Sequence, residues 1–370
     1  MPVKFPSGSG KFYETLKKRV EAYFESQKIS PKGDIRLYVK TFILFALYLI
    51  PYWQLLTGNY TNFESILWIL VMAVGTAGIG LSVMHDANHG AYSDNRWINL
   101  IMGETLTLIG GNSYTWKIQH NLLHHTYTNV YGLDEDVNTK FLLKLSKNAT
   151  TKWYHKYQHI YAWFLYGFLT IAFLFKDFRQ IYTFNKAGYY KNNGTSPLFE
   201  VIKLFVMKMF YIFYIIIVPI VFFKIPVYKV LIGFLLLHVI TGFILSIVFQ
   251  LAHIMEHTEH PYPDDQGSLE NRWAEHQLKT TCNFSTSNKL ITWYTGGLNY
   301  QIEHHLFPTV CHIHYPAISK IVKQTANEFG LPYYEYKSIF DALHSHLKAL
   351  KEIGRYKPSV QSLNVETKLA

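Results

Sequence analysis

Residues 66–90, ILWILVMAVGTAGIGLSVMHDANHG, change character near their end. Positions 66–83 carry no charge, and a helix over 63–84 would be about 33 Å long, enough to cross the hydrocarbon core of a bilayer. The run then closes on His85 and His89, whose i, i+4 spacing places both on one helical face. The apolar half decides the fold class and the histidine half opens the question of function.

Working outward, three more apolar runs match the first. Residues 41–57 (TFILFALYLIPYWQLLT) contain Pro51, residues 204–223 (LFVMKMFYIFYIIIVPIVFF) contain Lys208 and Pro219, and residues 230–251 (VLIGFLLLHVITGFILSIVFQL) contain His238. The composition agrees: 49% apolar, 17% aromatic and only 16% charged across 370 residues. The expected fold is all-α and polytopic, with four transmembrane helices in two hairpins, interfacial helices and a cytoplasmic histidine-rich cap. The expected division is a cytoplasmic segment over 1–40, a membrane domain over 41–325, and a cytoplasmic C-terminal helix and tail over 326–370. The final residues, SVQSLNVETKLA, read as a frayed tail.

The net charge of +10 follows from this topology. Residues 1–40 hold nine Lys and Arg, whereas the tight connection 58–62 holds none and the connection 224–229 holds two. The positive-inside bias places both termini and the long middle segment in the cytoplasm. No basic recognition helix accompanies the charge, which excludes nucleic acid as a partner. Two cysteines, Cys282 and Cys311, exclude a disulfide framework.

This topology gathers histidines on one face. The segment WINLIMGETLTLIGG (97–111) is too short and too glycine-broken to span, so it reads as re-entrant or interfacial. It leads to HNLLHH, with His120, His124 and His125. Residues 160–175 (IYAWFLYGFLTIAFLF) read as interfacial, because a fifth crossing would carry the later histidines to the wrong side. The fourth span then delivers His253, and NYQIEHHLFP delivers His304 and His305, to the same face. A lone histidine such as His155, His159 or His238 is ordinarily structural. Three clusters in order on one side point to metal. Imidazole suits Fe, Cu, Zn or Ni, and eight histidines suit two ions better than one. Redox ions beside a membrane suggest oxygen chemistry on a lipid-soluble substrate.

HDANH at 85–89, HNLLHH at 120–125 and QIEHH at 301–305 resemble the three histidine boxes of the integral-membrane fatty acid desaturases, and the likeness extends over roughly residues 60–325. The longest matching stretches are WKIQHNLLHHTYTNVYGLDED and WYTGGLNYQIEHHLFP. The resemblance implies two non-haem irons on the cytoplasmic side. Their ligands would be His85, His89, His120, His124, His125, His304 and His305, with His253 as the additional one. Gln301 stands where many members carry histidine. It resembles the front-end subgroup, which desaturates between an existing double bond and the carboxyl end. Its carbonyl oxygen could ligate iron directly or through water, or the amide could act only as a hydrogen-bonding neighbour.

Metal-bound imidazoles need their second ring nitrogen held, and Asp86, Asp134, Asp136, Glu303 and Gln277 are the candidates. Trp116, Trp293 and Tyr300 are candidate linings of an acyl path or interface anchors, and Gly296 and Gly297 suit a tight turn before the third box. No HPGG haem motif of a fused cytochrome b5 occurs, so electrons are expected from a separate ferredoxin or free cytochrome b5. The substrate is expected to be a long acyl chain on coenzyme A or a lipid. The expected location is a bacterial inner membrane, or the endoplasmic reticulum if the source is eukaryotic. The rivals are a di-iron hydroxylase on the same scaffold, a metal transporter and a bis-histidine haem protein.

Overall fold

The computed structural model describes residues 3–139, 141–189 and 196–358. The expected frayed tail, 359–370, lies outside the described residues. The helices that matter here are α1 (Gly10–Gln27), α2 (Ile35–Thr57), α3 (Asn62–Asn88), α4 (Arg96–Gly103), α5 (Gln158–Tyr166), α6 (Leu169–Lys186), α7 (Pro197–Val221), α8 (Val227–His253), α9 (Trp273–Thr280), α10 (Gln301–Leu306), α11 (Tyr315–Glu328) and α12 (Ile339–Arg355). Four of them, α2, α3, α7 and α8, are long and apolar enough to cross a membrane. Each is longer than the apolar run that predicted it, because its first or last turn is amphipathic.

The chain divides into two compact units, one formed by residues 1–32, 119–162 and 248–370 and the other by residues 33–118 and 163–247. In the second unit, local chemistry starts the spans. Asp34 caps α2 by accepting from the Arg36 N–H, and Thr61 and Glu64 form a reciprocal capping box that starts α3. Pro51 sits inside α2 without ending it, which membrane helices tolerate. Phe42, Phe63, Phe205 and Leu235 leave large apolar side chains exposed, as a lipid-facing surface requires.

Two stretches within the spans, Ile79–Met84 and Phe213–Ile217, widen into π turns. The first lies immediately before His85, a common place for this distortion since π turns re-aim functional side chains. The predicted short segment after α3 is α4 followed by a 3₁₀ stretch, Glu104–Ile109. The ambiguous run 160–175 falls on α5 and α6, which meet at an 88° bend and so do not make one straight span. The bend sits at Gly167, where a Cβ would come within 2.9 Å of Val239 Cγ1 on α8, while a Cβ on Gly242 would lie 2.4 Å from the Gly167 carbonyl oxygen. Two glycines therefore let this break approach α8 closely.

The first unit has its own core. Phe12, Leu16, Val20 and Phe24, at strict i, i+4 spacing on α1, pack with Leu278 of α9, Ile302 and Leu306 of α10, and Ile318 and Val322 of α11. A two-residue parallel pairing, Asn283–Phe284 with Glu335–Tyr336, is a small addition to the otherwise helical expectation.

Candidate metal centre

In the first unit, three separate pieces of chain bring histidines together: the turn carrying His120, His124 and His125, the C-terminal end of α8 with His253, and α10 with Gln301, His304 and His305. All seven side chains are buried. The rings of His124, His253 and His305 form a triangle with centroids 4.7, 5.0 and 4.9 Å apart. Their ligand atoms lie within 4.8 Å of one another, as do those of His125, His304 and His305. His305 belongs to both groups.

Residues Lys117–His124 wind as a π helix. Simple α-helical spacing pairs His120 with His124. The wider turn instead sets His120 Nε2 3.3 Å from His125 Nε2, an i, i+5 pair.

The outer ring nitrogens are held from behind. His124 Nδ1 lies 3.0 Å from Asp134 Oδ2 and 3.5 Å from Asp136 Oδ2. His305 Nδ1 lies 2.8 Å from Gln277 Oε1, and His304 Nδ1 lies 3.2 Å from the Tyr315 hydroxyl. Asp134 itself accepts from the backbone N–H groups of Asn129 and Asp136, at 2.9 and 3.0 Å. Burial works to raise the Asp134 pKa, but His124 and those two N–H groups outweigh it and hold the carboxyl low. Burial likewise works to lower the His124 pKa, and the carboxylates of Asp134 and Asp136 reverse it. With Nδ1–H donated to an ionised Asp134, His124 directs its Nε2 lone pair inward.

That inward nitrogen is the fit test for a metal. His124 Nε2 is buried without a hydrogen-bond partner, and so is Gln301 Oε1. Orphaned buried acceptors are costly, and a cation that takes their lone pairs removes the cost. The donor set is imidazole with an amide oxygen in reach, which suits a transition metal. Gln301 Nε2 lies 2.9 Å from His253 Nε2 and 3.4 Å from His305 Nε2, so a half-turn of this amide would present its oxygen to the same space. The buried histidine clusters could hold metal.

The sequence-predicted supports divide. Asp134, Asp136 and Gln277 stand behind histidines as expected. Glu303 does not: its oxygens accept from Asn283 Nδ2 at 2.8 Å and Tyr333 Oη at 2.9 Å, and burial pushes its carboxyl up to about 7. Tyr300 joins the hydrophobic core and donates to the Thr286 carbonyl at 2.7 Å. Gly296 and Gly297 adopt φ of 65° and 66°, as a tight turn before α10 demands. Tyr315 was not foreseen, because it is ten residues beyond the third box with no local pattern linking it. Asn129 was also missed; its Nδ2 donates to the His253 carbonyl at 3.0 Å and so ties the second motif to the end of α8.

In the second unit, His85 and His89 close α3, both buried, with ring centroids 4.7 Å apart. Trp116 meets each of them edge-on at 5.7 Å. Trp116 is therefore a support of the first pair. Asp86 Oδ1 is 3.8 Å from His85 Nδ1, too far for a hydrogen bond. None of the described groups with three ligand atoms within 4.8 Å contains His257, His260 or His276.

An Asp134→Asn variant keeps the shape but loses the charge behind His124. Metal affinity is expected to fall by about 10- to 100-fold, read by competition with a chelator of known affinity. Unchanged affinity would mean that Asp134 is only a structural partner.

The fatty acid desaturase family matches residues 64–337 of this chain. The chain is 36% identical over 358 residues to a sn-1 linoleoyl-lipid 6-desaturase of Arthrospira platensis, an alignment covering 96% of this chain and 94% of that protein. It is 38% identical to an acyl-lipid (8-3)-desaturase of Physcomitrium patens, over 93% of this chain and 72% of that one. It is 28% identical to a Delta(5) fatty acid desaturase A of Dictyostelium discoideum, over 93% and 75%. Four apolar helices, buried histidines braced by carboxylate, amide and phenol, and this extent of similarity lead to one conclusion: the chain belongs to the fatty acid desaturase family, multi-pass membrane oxidoreductases that desaturate fatty acids.

Proposed function

We propose that this chain inserts a cis double bond into a long acyl chain between an existing double bond and the carboxyl end, with the acyl group carried on a lipid or on coenzyme A. The observation that carries the metal chemistry is the buried His124–His253–His305 triangle with an unpartnered Nε2 on His124. The regiochemistry is supported by Gln301 opening the third motif, and by relatives whose names specify 6-, (8-3)- and Delta(5)-desaturation.

His85, His89, His120, His124, His125, His253, His304 and His305 are the proposed ligands of two irons, with Gln301 as a further ligand or neighbour. The iron pair, when bound, supplies reduction of O₂ and removal of two hydrogens from adjacent methylenes. The protein's own residues do the rest. Asp134, Gln277 and Tyr315 fix ring orientation, so that three imidazoles each keep Nε2 for metal. Complete burial of His124, His304 and His305 keeps bulk water from the site and protects a strong oxidant from side reactions. Selecting one C–C bond in a featureless chain is a matter of positioning, which must come from the walls and from the anchored polar end.

Electrons come from a separate donor, a ferredoxin or free cytochrome b5. Nine Lys and Arg in residues 1–40 support a cytoplasmic face for the termini and the site; the membrane is a bacterial inner membrane, or the endoplasmic reticulum if the source is eukaryotic.

The test is a fatty-acid profile, with double bonds located by mass spectrometry, in a bacterium expressing this chain with ferredoxin and its reductase and fed linoleate and α-linolenate. A new double bond on the carboxyl side of an existing one is the expected result. A new double bond in a saturated chain would overturn the regiochemistry, and a hydroxylated product would overturn desaturation in favour of oxygen transfer.

A further inference from the structure

The second unit holds a cavity of about 310 Å³ at the end of the spans where α3 and α8 begin, opposite the helix ends that bear His85 and His253. All four spans wall it. Its floor is buried and apolar, with Met72 of α3 and Leu237 of α8. Its rim is apolar too but exposed, with Ile66 of α3 and Ile232 of α8. The cavity therefore deepens from the lipid-facing surface into the bundle, and its size falls at the lower end of the range for ligand sites.

Fixed contacts hold its walls apart. α2 and α3 approach backbone to backbone at Gly75, where a Cβ would lie 2.7 Å from the Leu47 carbonyl carbon. The Tyr52 hydroxyl donates to the Tyr214 carbonyl, and the Tyr48 and Tyr214 hydroxyls meet at 2.7 Å, so α2 is also pinned to α7. Between α3 and α8 the gap stays open at Gly233, where a Cβ would meet Ile69 Cδ1 at an ordinary 3.4 Å. Apolar walls this far apart cannot reach each other, so a third group must supply their dispersion contacts. At this depth the surrounding solvent is lipid tail.

The mouth is polar and positively charged. Lys229 of α8 lines it with Asn62 of α3. Among the described residues the Lys229 ammonium is neither hydrogen-bonded nor ion-paired. Glu64, the acid of the first turn of α3, is already engaged by the Thr61 N–H and hydroxyl, both at 2.8 Å. Lys224 adds a second positive charge on the same short connection. A lysine can lay its aliphatic stem along an apolar slot and carry its charge to the headgroup level, where a phosphate oxygen is a strong acceptor.

We infer that this cavity binds one acyl tail of an anionic glycerophospholipid of the surrounding bilayer, with the lipid phosphate at Lys229. The lipid is a structural ligand that fills the gap between the two hairpins and is distinct from the substrate. The inference depends on neither the proposed metal ligands nor the proposed regiochemistry.

The experiment titrates the purified full chain in neutral detergent with dioleoyl phosphatidylglycerol and dioleoyl phosphatidylcholine. Native mass spectrometry counts bound lipid, and thermal unfolding reads its effect on stability. One phosphatidylglycerol per chain is expected to bind at least tenfold more tightly than phosphatidylcholine, and to raise Tm as its concentration rises. Lys229→Gln should remove that preference, whereas Lys11→Gln, the same charge change on α1, should keep it. Gly233→Leu puts a side chain into the cavity and should abolish retention of both lipids. Its lipid-free Tm should match or exceed the parent's, since leucine favours helix over glycine and the added side chain restores contacts. Ile232→Trp covers the rim from an exposed position and should also abolish retention, which keeps the test open if the glycine variant fails to fold.

Equal affinity of the parent for the two lipids, or a preference that survives Lys229→Gln, would overturn the phosphate contact. Retention that survives Ile232→Trp and a folded Gly233→Leu would overturn the cavity as the site. Displacement of bound phosphatidylglycerol by equimolar oleoyl-coenzyme A would make the occupant a substrate chain and overturn the structural lipid.

Discussion

Replacing His305 with alanine is expected to eliminate double-bond formation and to remove most of the bound metal. Its ring is shared by two all-histidine groups of the first unit, His124–His253–His305 and His125–His304–His305. Losing a supporting group costs about 10- to 100-fold in metal affinity; losing the shared ligand removes a bond from both groups and should exceed that range. His124→Ala is expected to be as severe, because it also strands Asp134, an ionised carboxylate that is fully buried and accepts the His124 Nδ1–H. Iron content by elemental analysis and product by mass spectrometry measure the two effects. Membrane insertion should persist, since the second unit, which holds α2, α3, α7 and most of α8, contains neither residue. The control is His276→Ala, which removes a buried histidine outside every ligand group and should leave iron in place. Iron retained in His305→Ala and His124→Ala would remove the ligand assignment.

Much of this site was legible in the sequence because its parts are local. HDANH, HNLLHH and QIEHH are short, and each lies on one helical turn or at one helix end. The helical spans that carry or flank them are marked by uncharged runs whose length has one physical reading. What was not legible depends on backbone winding or long-range contact. No residue within Lys117–His124 announces a π helix, yet that winding chooses His125 over His124 as the close partner of His120. Tyr315 behind His304 and Asn129 across to the His253 carbonyl are tertiary contacts between ordinary polar residues. Glu303 misled for the opposite reason. It is adjacent to His304 in sequence, but along α10 the neighbouring side chain points elsewhere, and it meets Asn283 and Tyr333.

Lys208 puts a charge inside the third apolar run, and its surroundings explain how it is accommodated. Its ammonium has three donors and three acceptors: the Gly110 carbonyl, the Phe173 carbonyl at 2.7 Å and Asp177 Oδ2 at 2.6 Å. The other Asp177 oxygen accepts from Thr115 at 2.8 Å. One buried pair therefore ties α6 and α7 to the segment 110–115, and the next residue, Trp116, packs on His85 and His89. Such a pair adds little net stability over apolar side chains, since desolvation offsets attraction; removing one partner alone is expensive because the other charge stays buried. Lys208→Met should accordingly destabilise the protein by about 3–5 kcal/mol, and Asp177→Leu by a comparable amount. The double variant should recover a large part of either loss, leaving mainly the cost of the two released carbonyls and of Thr115, which can still donate to the Asn112 carbonyl at 3.2 Å. Denaturant unfolding in detergent, run as a double-mutant cycle, measures the coupling. A double variant as unstable as the sum of the singles would show that the ammonium and the carboxylate act separately. Recovery of stability in the double variant without recovery of iron would show that the pair also holds the segment leading to Trp116 in the position that His85 and His89 require.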